Sequence, residues 1–293
     1  MKSPVFRANI LMLITAMIWG STFLVQNIAM QYMGALTFSG SRFFLGSLAL
    51  IPVILFYKKK NNLNWSKVFS KQTIYAGLIL GMMLTLGINL QQIGIKYTTI
   101  TNSGFITGLY VIIVPILGLF IGQQTSFGTW LGALLALFGM GLLTLNSQLT
   151  ISFGDFITLI SAIAWGFHVL LAGILVSRCD PIAISFVQCL VCSMVSILLA
   201  IPLEGLTIHY STQAVLAIFC TGIISVSISF TLQLIAQKDA LASHAAIILS
   251  LESVFAAICG ALILNETLTL KGYLGCTLMF AGMLTAQLWP QHN

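Results

Sequence analysis

Glu252 is the residue whose setting points most directly to chemistry. It stands near the middle of the apolar run 241–264 and is the only one of the six acidic residues set well inside such a run. An isolated carboxylate in hydrocarbon is too costly to persist, so it must be protonated, paired or hydrated. A proton site, a site for a substrate amine and a structural pairing with Arg42 all fit. His168, within the run 153–176, is a second titratable candidate, with hydrogen-bonded packing as its plain alternative. Arg42, near the mouth of the run 36–57, carries a planar fork suited to a carboxylate. Its plain alternative is to snorkel outward and anchor its helix at the headgroups.

Weaker signals surround these three. Thr85, Asn89, Gln92 and Lys96 follow a 4-3-4 spacing that keeps one helical face, as do His244, Ile248, Glu252 and Phe255. Ser225, Ser229 and Gln233 form another stripe; Trp19, Phe23 and Gln26 share a face, and so do Trp165 and His168. Hydrogen bonding between helices explains such stripes without any ligand. Cys189 and Cys192 make a CxxC, but no histidine or second cysteine pair stands near to complete a zinc site, so the motif reads as packing. No metal, no cofactor and no catalytic residue is expected. A GxxxxGK[ST] loop is absent, which excludes ATP as the driving force from this chain alone.

The elements that position these residues follow from composition. Of 293 residues, 58% are hydrophobic and 6% charged, with a mean hydropathy of +1.04. A soluble domain carries roughly a quarter of its residues as charges, so a soluble enzyme, a nucleic-acid binder and a disordered chain are excluded together. The net charge of +6 therefore reads as a topology signal and not as a nucleic-acid footprint. Ten stretches are long and apolar enough to cross a bilayer: 8–28, 36–57, 73–94, 99–121, 126–146, 153–176, 182–202, 213–235, 241–264 and 269–289. The fifth and tenth are almost purely apolar and read as scaffold; the others carry the polar stripes.

The chain also repeats itself. LITAMIWGSTFLVQNI (13–28) meets LISAIAWGFHVLLAGI (159–174) at a shift of 146, with Leu13, Ile14, Ala16, Trp19, Gly20, Leu24 and Ile28 each over an identical residue. GQQTSFGTWLG (122–132) faces NETLTLKGYLG (265–275). The recurrence argues that the first span is a retained helix and not a signal peptide. Two five-helix units, 1–148 and 149–293, are thus expected, and an odd number of crossings sets the second in the opposite orientation. With the N-terminus inside, inner segments hold nine Lys and Arg and outer ones two, which places both termini in the cytoplasm.

These residues carry a family resemblance. The TAxxWG start, the run GIKYTTITNSGFITGLYVIIVPILG (94–118) and LSLESVFAAICGALILNETLTLKGYLGCTLMFAGM (249–283) resemble EamA-type members of the drug/metabolite transporter superfamily. The resemblance spans essentially the whole chain. It implies an all-α integral membrane protein of ten transmembrane helices in two inverted five-helix repeats, in a bacterial inner membrane. It also implies export of small metabolites, often amino acids, through a central cavity. Two departures stand out: Gly122–Gln123 where the family usually has a Gly–Glu pair, kept as Asn265–Glu266 in the second half, and Leu251–Glu252–Ser253 where LEP is frequent. The missing proline removes the usual cause of a bend there. The first span carries no glutamate, so the proton exchange of small multidrug relatives does not transfer.

The sequence thus predicts a secondary transporter whose substrate is held by Trp19, Gln92, Trp165, His168, Gln188 and Glu252, with Arg42 at the outer mouth. Its partners would be a small-molecule substrate and the lipid bilayer, in a monomer or homodimer, with no nucleic acid. Multidrug or cation efflux is the alternative within the class. A channel and an intramembrane enzyme are rivals from other classes, and the enzyme lacks convergent catalytic groups.

Overall fold

The fold was analysed in a computed structural model that describes residues 4–98, 100–144, 152–205, 211–263 and 269–289. Lys2, Asn265, Glu266 and the expected boundary between the two units lie outside the described residues. Among the described residues the chain is helical throughout. Its elements are α1 (Pro4–Ala29), α2 (Ala35–Lys60), α3 (Trp65–Val68), α4 (Lys71–Tyr97), α5 (Ile100–Gly108), α6 (Tyr110–Phe120), α7 (Phe127–Thr144), α8 (Phe153–Leu175), α9 (Pro181–Glu204), α10 (Thr212–Cys220), α11 (Ser229–Gln237), α12 (Ala242–Leu249), α13 (Glu252–Ile263) and α14 (Leu270–Leu288). A π-turn, Thr221–Ile228, joins α10 to α11. Eight helical stretches among the described residues are long and apolar enough to cross a membrane. This is a multi-pass membrane protein.

Local sequence sets the helix ends. Ser70 accepts from Thr73 N to start α4, and Asp180 accepts from Ile182 N and Ala183 N to start α9, which has Pro181 in its first turn. Ser152 and Asp155 form a reciprocal capping box on α8. Gly205, at φ 68°, closes α9 in the left-handed region.

Contacts between the two halves build the interior. The first-half helix α1 packs on α10 through α13, α2 on α9 and the π-turn, and α4 on α8 and α9. A cleft lined by Arg7, Tyr57, Ile182 and Lys238 puts the start of α1, the end of α2, the start of α9 and the end of α11 at one face. At the other face the Glu204 carboxylate accepts from Leu36 N, Thr37 N and Thr37 Oγ1, at 2.7–2.9 Å, and so closes the start of α2.

The expected fifth and tenth spans are α7 and α14, which pack along each other. A Cβ on Gly132 would stand 2.6 Å from the Gly282 carbonyl, and one on Gly139 would stand 2.5 Å from the Gly275 carbonyl. Lipid gives apolar helices no reason to prefer one another, so this backbone-to-backbone approach supplies the adhesion.

Besides the run 213–235, which the π-turn divides, two expected single helices are interrupted. The run 99–121 is pinched at Leu109, and the run 241–264 at Ser250–Leu251. At the second pinch Leu251 N bonds to Ile248 O, and Val254 N to Leu251 O, both three residues back. The Ser250 hydroxyl bonds Ile247 O at 2.8 Å. A serine competing for backbone acceptors does here what a proline would do, and the absence of proline does not leave this helix regular.

Candidate functional site

Where the two halves meet, Trp19, Phe23, Gln26, Arg42, Phe43, Ile88, Gln91, Thr107, Tyr110, Trp165, Val169, Ser225, Val226, Phe230 and Glu252 line a cavity. Its lining is aromatic on one side and carries ionisable groups at two points. Both features follow from helix geometry.

The aromatic side forms around Phe230. Trp19 lies 5.0 Å from the Phe230 ring, Phe43 5.8 Å and Trp165 6.1 Å, with the Trp165 and Phe230 planes parallel. Trp19 and Trp165, which align in the internal repeat, also meet each other at 6.0 Å. The indole of Trp19 is fixed by donating Nε1–H to the Ser225 carbonyl at 3.1 Å, an acceptor presented by the π-turn. A π-turn changes which backbone groups face inward, and such turns are frequent at functional sites.

The ionisable groups are Arg42 and Glu252. Arg42 is 1% exposed, its guanidinium lying 4.8 Å from the Phe38 ring centre and 5.4 Å from that of Phe43. Snorkelling to the headgroups, one of the two sequence readings, does not occur. Arg42 Nη1 donates to Gln26 Oε1 at 2.9 Å, and Nε and Nη2 have no partner among the described residues. The same Gln26 oxygen accepts from Gln92 Nε2 at 2.6 Å. One amide oxygen therefore clamps one edge of the guanidinium and leaves the rest of its fork uncommitted. Glu252, the first residue of α13, is 6% exposed and accepts from the Tyr110 hydroxyl at 3.3 Å. Arg42 and Glu252 do not pair with each other among the described residues.

Of the residues singled out in sequence, Trp19, Arg42, Trp165 and Glu252 line the cavity together. Gln92 stands behind the wall and holds Gln26. His168 and Gln188 also lie behind it: His168 Nε2 and Gln188 Oε1 are 3.0 Å apart, both residues are fully buried, and the imidazole meets Trp165 and Phe230 edge-on. The Thr85, Asn89, Gln92 stripe serves packing as well, since Asn89 Nδ2 donates to Ser196 at 2.8 Å and Thr85 bonds Gly81 O. The cavity instead receives the neighbour Gln91, whose Nε2 donates to Thr107 Oγ1 at 3.2 Å. Sequence reading left out eight lining residues, the apolar Phe43, Ile88, Val169, Val226 and Phe230 and the polar Gln91, Thr107 and Tyr110. A signal for Tyr110 exists: LQQIGIK (90–96) aligns with LQLIAQK (232–238), and continuing that register sets Leu109 over Leu251 and Tyr110 over Glu252. The two pinched positions and the two residues that follow them thus correspond.

Comparison with known proteins gives a consistent result. The model of the EamA-like transporter family matches residues 6–145 and again residues 152–286. An uncharacterized transporter of Archaeoglobus fulgidus is 28% identical over 284 residues, covering 96% of this chain and 86% of the relative. The uncharacterized transporter YoaV of Bacillus subtilis is 22% identical over 274 residues, covering 91% and 92%. A solved crystal structure superposes with a TM-score of 0.80 at 16% identity, over 96% of this chain and 97% of its own, which shows a shared fold.

Proposed function

Since this chain belongs to the EamA-like transporter family, we propose that it is a secondary transporter that exports small zwitterionic or amphipathic metabolites, amino acids among them, across a bacterial inner membrane. In this reading α7 and α14 complete ten crossings, the units 1–148 and 149–293 are inverted repeats, and both termini are cytoplasmic. The paired matches of the family model to 6–145 and 152–286 support the two units. The common face shared by the start of α1, the end of α2, the start of α9 and the end of α11 agrees with the expected sidedness.

The observation that carries the substrate class is the uncommitted Arg42 fork in the same cavity as Glu252, with an aromatic wall beside them. A carboxylate would take Nε and Nη2 of Arg42 in a bidentate bond. An ammonium would take Glu252, and an apolar side chain would lie against Trp19, Trp165 and Phe230. A narrower specificity for cationic amphiphiles draws on the aromatic wall and Glu252 alone. Residues with such roles would act in turn from each side of the membrane as the two halves rock, the use to which inverted repeats are put in many transporters.

Counterflow into proteoliposomes preloaded with members of a panel tests this reading. The panel holds zwitterionic amino acids, their decarboxylated amines and their N-acetylated acids. Saturable uptake of the zwitterions is expected. Uptake of amines alone would favour cation efflux, and unsaturable flux or single-channel steps would remove the transporter mechanism.

A further inference from the structure

Charge in this chain is unevenly distributed along its length. The first 154 residues hold nine of the twelve Lys and Arg and none of the six acids. Five of those nine are gathered where α2 passes into α4: Lys58, Lys59 and Lys60 in the last turn of α2, Lys67 on α3 and Lys71 at the start of α4. No lysine of this group pairs with an acid among the described residues. Four of them, Lys59, Lys60, Lys67 and Lys71, are exposed.

The connection they flank is built and held. Val68 of α3 is 1% exposed and packs in a cluster with Ile54 of α2 and Ala183 of α9, joined by Leu63, Phe69, Ile182 and Phe186. Phe69 meets Phe186 of α9 edge-on at 5.9 Å. Trp65 stacks on Phe69 at 6.0 Å, stays 49% exposed, and has the Lys58 ammonium 4.9 Å from its ring centre. An amphipathic indole at the end of a membrane span belongs at headgroup depth. The lysines around it are therefore fixed at that depth, at the face shared by the end of α2 and Lys238 at the end of α11.

We propose that Lys59, Lys60, Lys67 and Lys71, arranged around Trp65, form a binding platform for anionic phospholipid headgroups, held through the lipid phosphate. Four uncompensated ammonium groups beside the bilayer create an attraction that a neutral headgroup cannot use, and each contributes roughly fivefold in lipid preference. The platform anchors the end of α2, which carries Arg42, and the start of α4, which carries Gln92. Lipid composition thereby reaches the two helices that set the Arg42 fork.

The test uses the full chain reconstituted in nanodiscs containing equal phosphatidylglycerol and phosphatidylcholine, then extracted gently and weighed by native mass spectrometry. Wild-type protein is expected to retain phosphatidylglycerol in large excess. The variant combining Lys59→Gln, Lys60→Gln, Lys67→Gln and Lys71→Gln is expected to lose that excess by roughly tenfold or more, and the four Lys→Arg changes are expected to keep it. Should the glutamine variant fail to insert, salt decides on the wild type: at about 1 M the screening length falls to about 3 Å and the preference should collapse. A preference that survives high salt, or glutamine variants that retain phosphatidylglycerol unchanged, would overturn the proposal.

Discussion

The Tyr110 hydroxyl donates to Glu252 Oε1 at 3.3 Å, and these two residues occupy the same register in the two halves of the chain. Each is the first helical residue after a pinch, Tyr110 opening α6 and Glu252 opening α13. The first half thus supplies a hydroxyl and the second a carboxylate at one junction. A carboxylate held by a single long hydrogen bond from a neutral donor can exchange that donor for a proton or an ammonium at little cost. Glu252→Gln keeps the shape and removes the charge. Membrane abundance should stay near wild type while flux falls below detection. Counterflow measured across a pH series checks this, and flux that survives at every pH would make Glu252 structural.

Tyr110→Phe isolates the other half of the pair. If the hydroxyl orients Glu252 for the substrate, half-saturation should shift upward by about twofold to tenfold, the range for one buried hydrogen bond, with maximal flux retained. A change in abundance with no change in half-saturation would assign the hydroxyl to folding. The measurement is a saturation curve at matched protein density.

Gln26 makes the corresponding argument for Arg42. Its Oε1 takes both Arg42 Nη1 and Gln92 Nε2, so Gln92 acts on substrate only through the guanidinium it helps to aim. Arg42→Lys removes the fork and keeps the charge, and carboxylate-bearing substrates should lose roughly tenfold or more in apparent affinity. Gln92→Leu should cost less, about twofold to tenfold, because one of two donors to Gln26 remains. Equal affinities for all three proteins in competition counterflow would sink the carboxylate role of Arg42.

How much of this was legible in the sequence depends on what each signal encodes. Hydropathy gave the helix bounds to within a few residues, and eight of these helical stretches are long and apolar enough to cross a membrane, because the demand for about 20 apolar residues is set by the bilayer. The internal repeat picked out Trp19 and Trp165, which do line the cavity, because a conformation shared by two halves recurs as identical residues. The polar stripes misled in part. Asn89, Gln92, His168 and Gln188 are as buried and as polar as Gln91 or Thr107, yet they face a neighbouring helix and not the cavity. Periodicity states that a face is polar, and only packing states what it looks at. The pinch at Ser250 was hidden because the familiar cause, proline, was missing, and a serine hydroxyl served in its place. The burial of Arg42 was undecidable from sequence, since Phe38 and Phe43, which enclose it, would equally suit a helix facing lipid.

The contact between α7 and α14 gives the last prediction. Gly132 and Gly139 lie against Gly282 and Gly275, with hypothetical Cβ positions 2.5–2.6 Å from facing carbonyls. No side chain fits there, and the obstacle is backbone, which cannot swing aside. Gly132→Leu or Gly282→Val should therefore push the helices apart and cost about 1–3 kcal/mol, the usual range for overpacking. The cavity lies elsewhere, so the loss should appear as stability and abundance and not as altered affinity. Fluorescence-detected gel filtration after graded heating should show a lowered midpoint for both variants, while the fraction that remains folded keeps wild-type half-saturation in counterflow. A variant with an unchanged midpoint would mean that these two helices do not hold one another as the structure describes, and an altered half-saturation would mean that the pair is coupled to the substrate site.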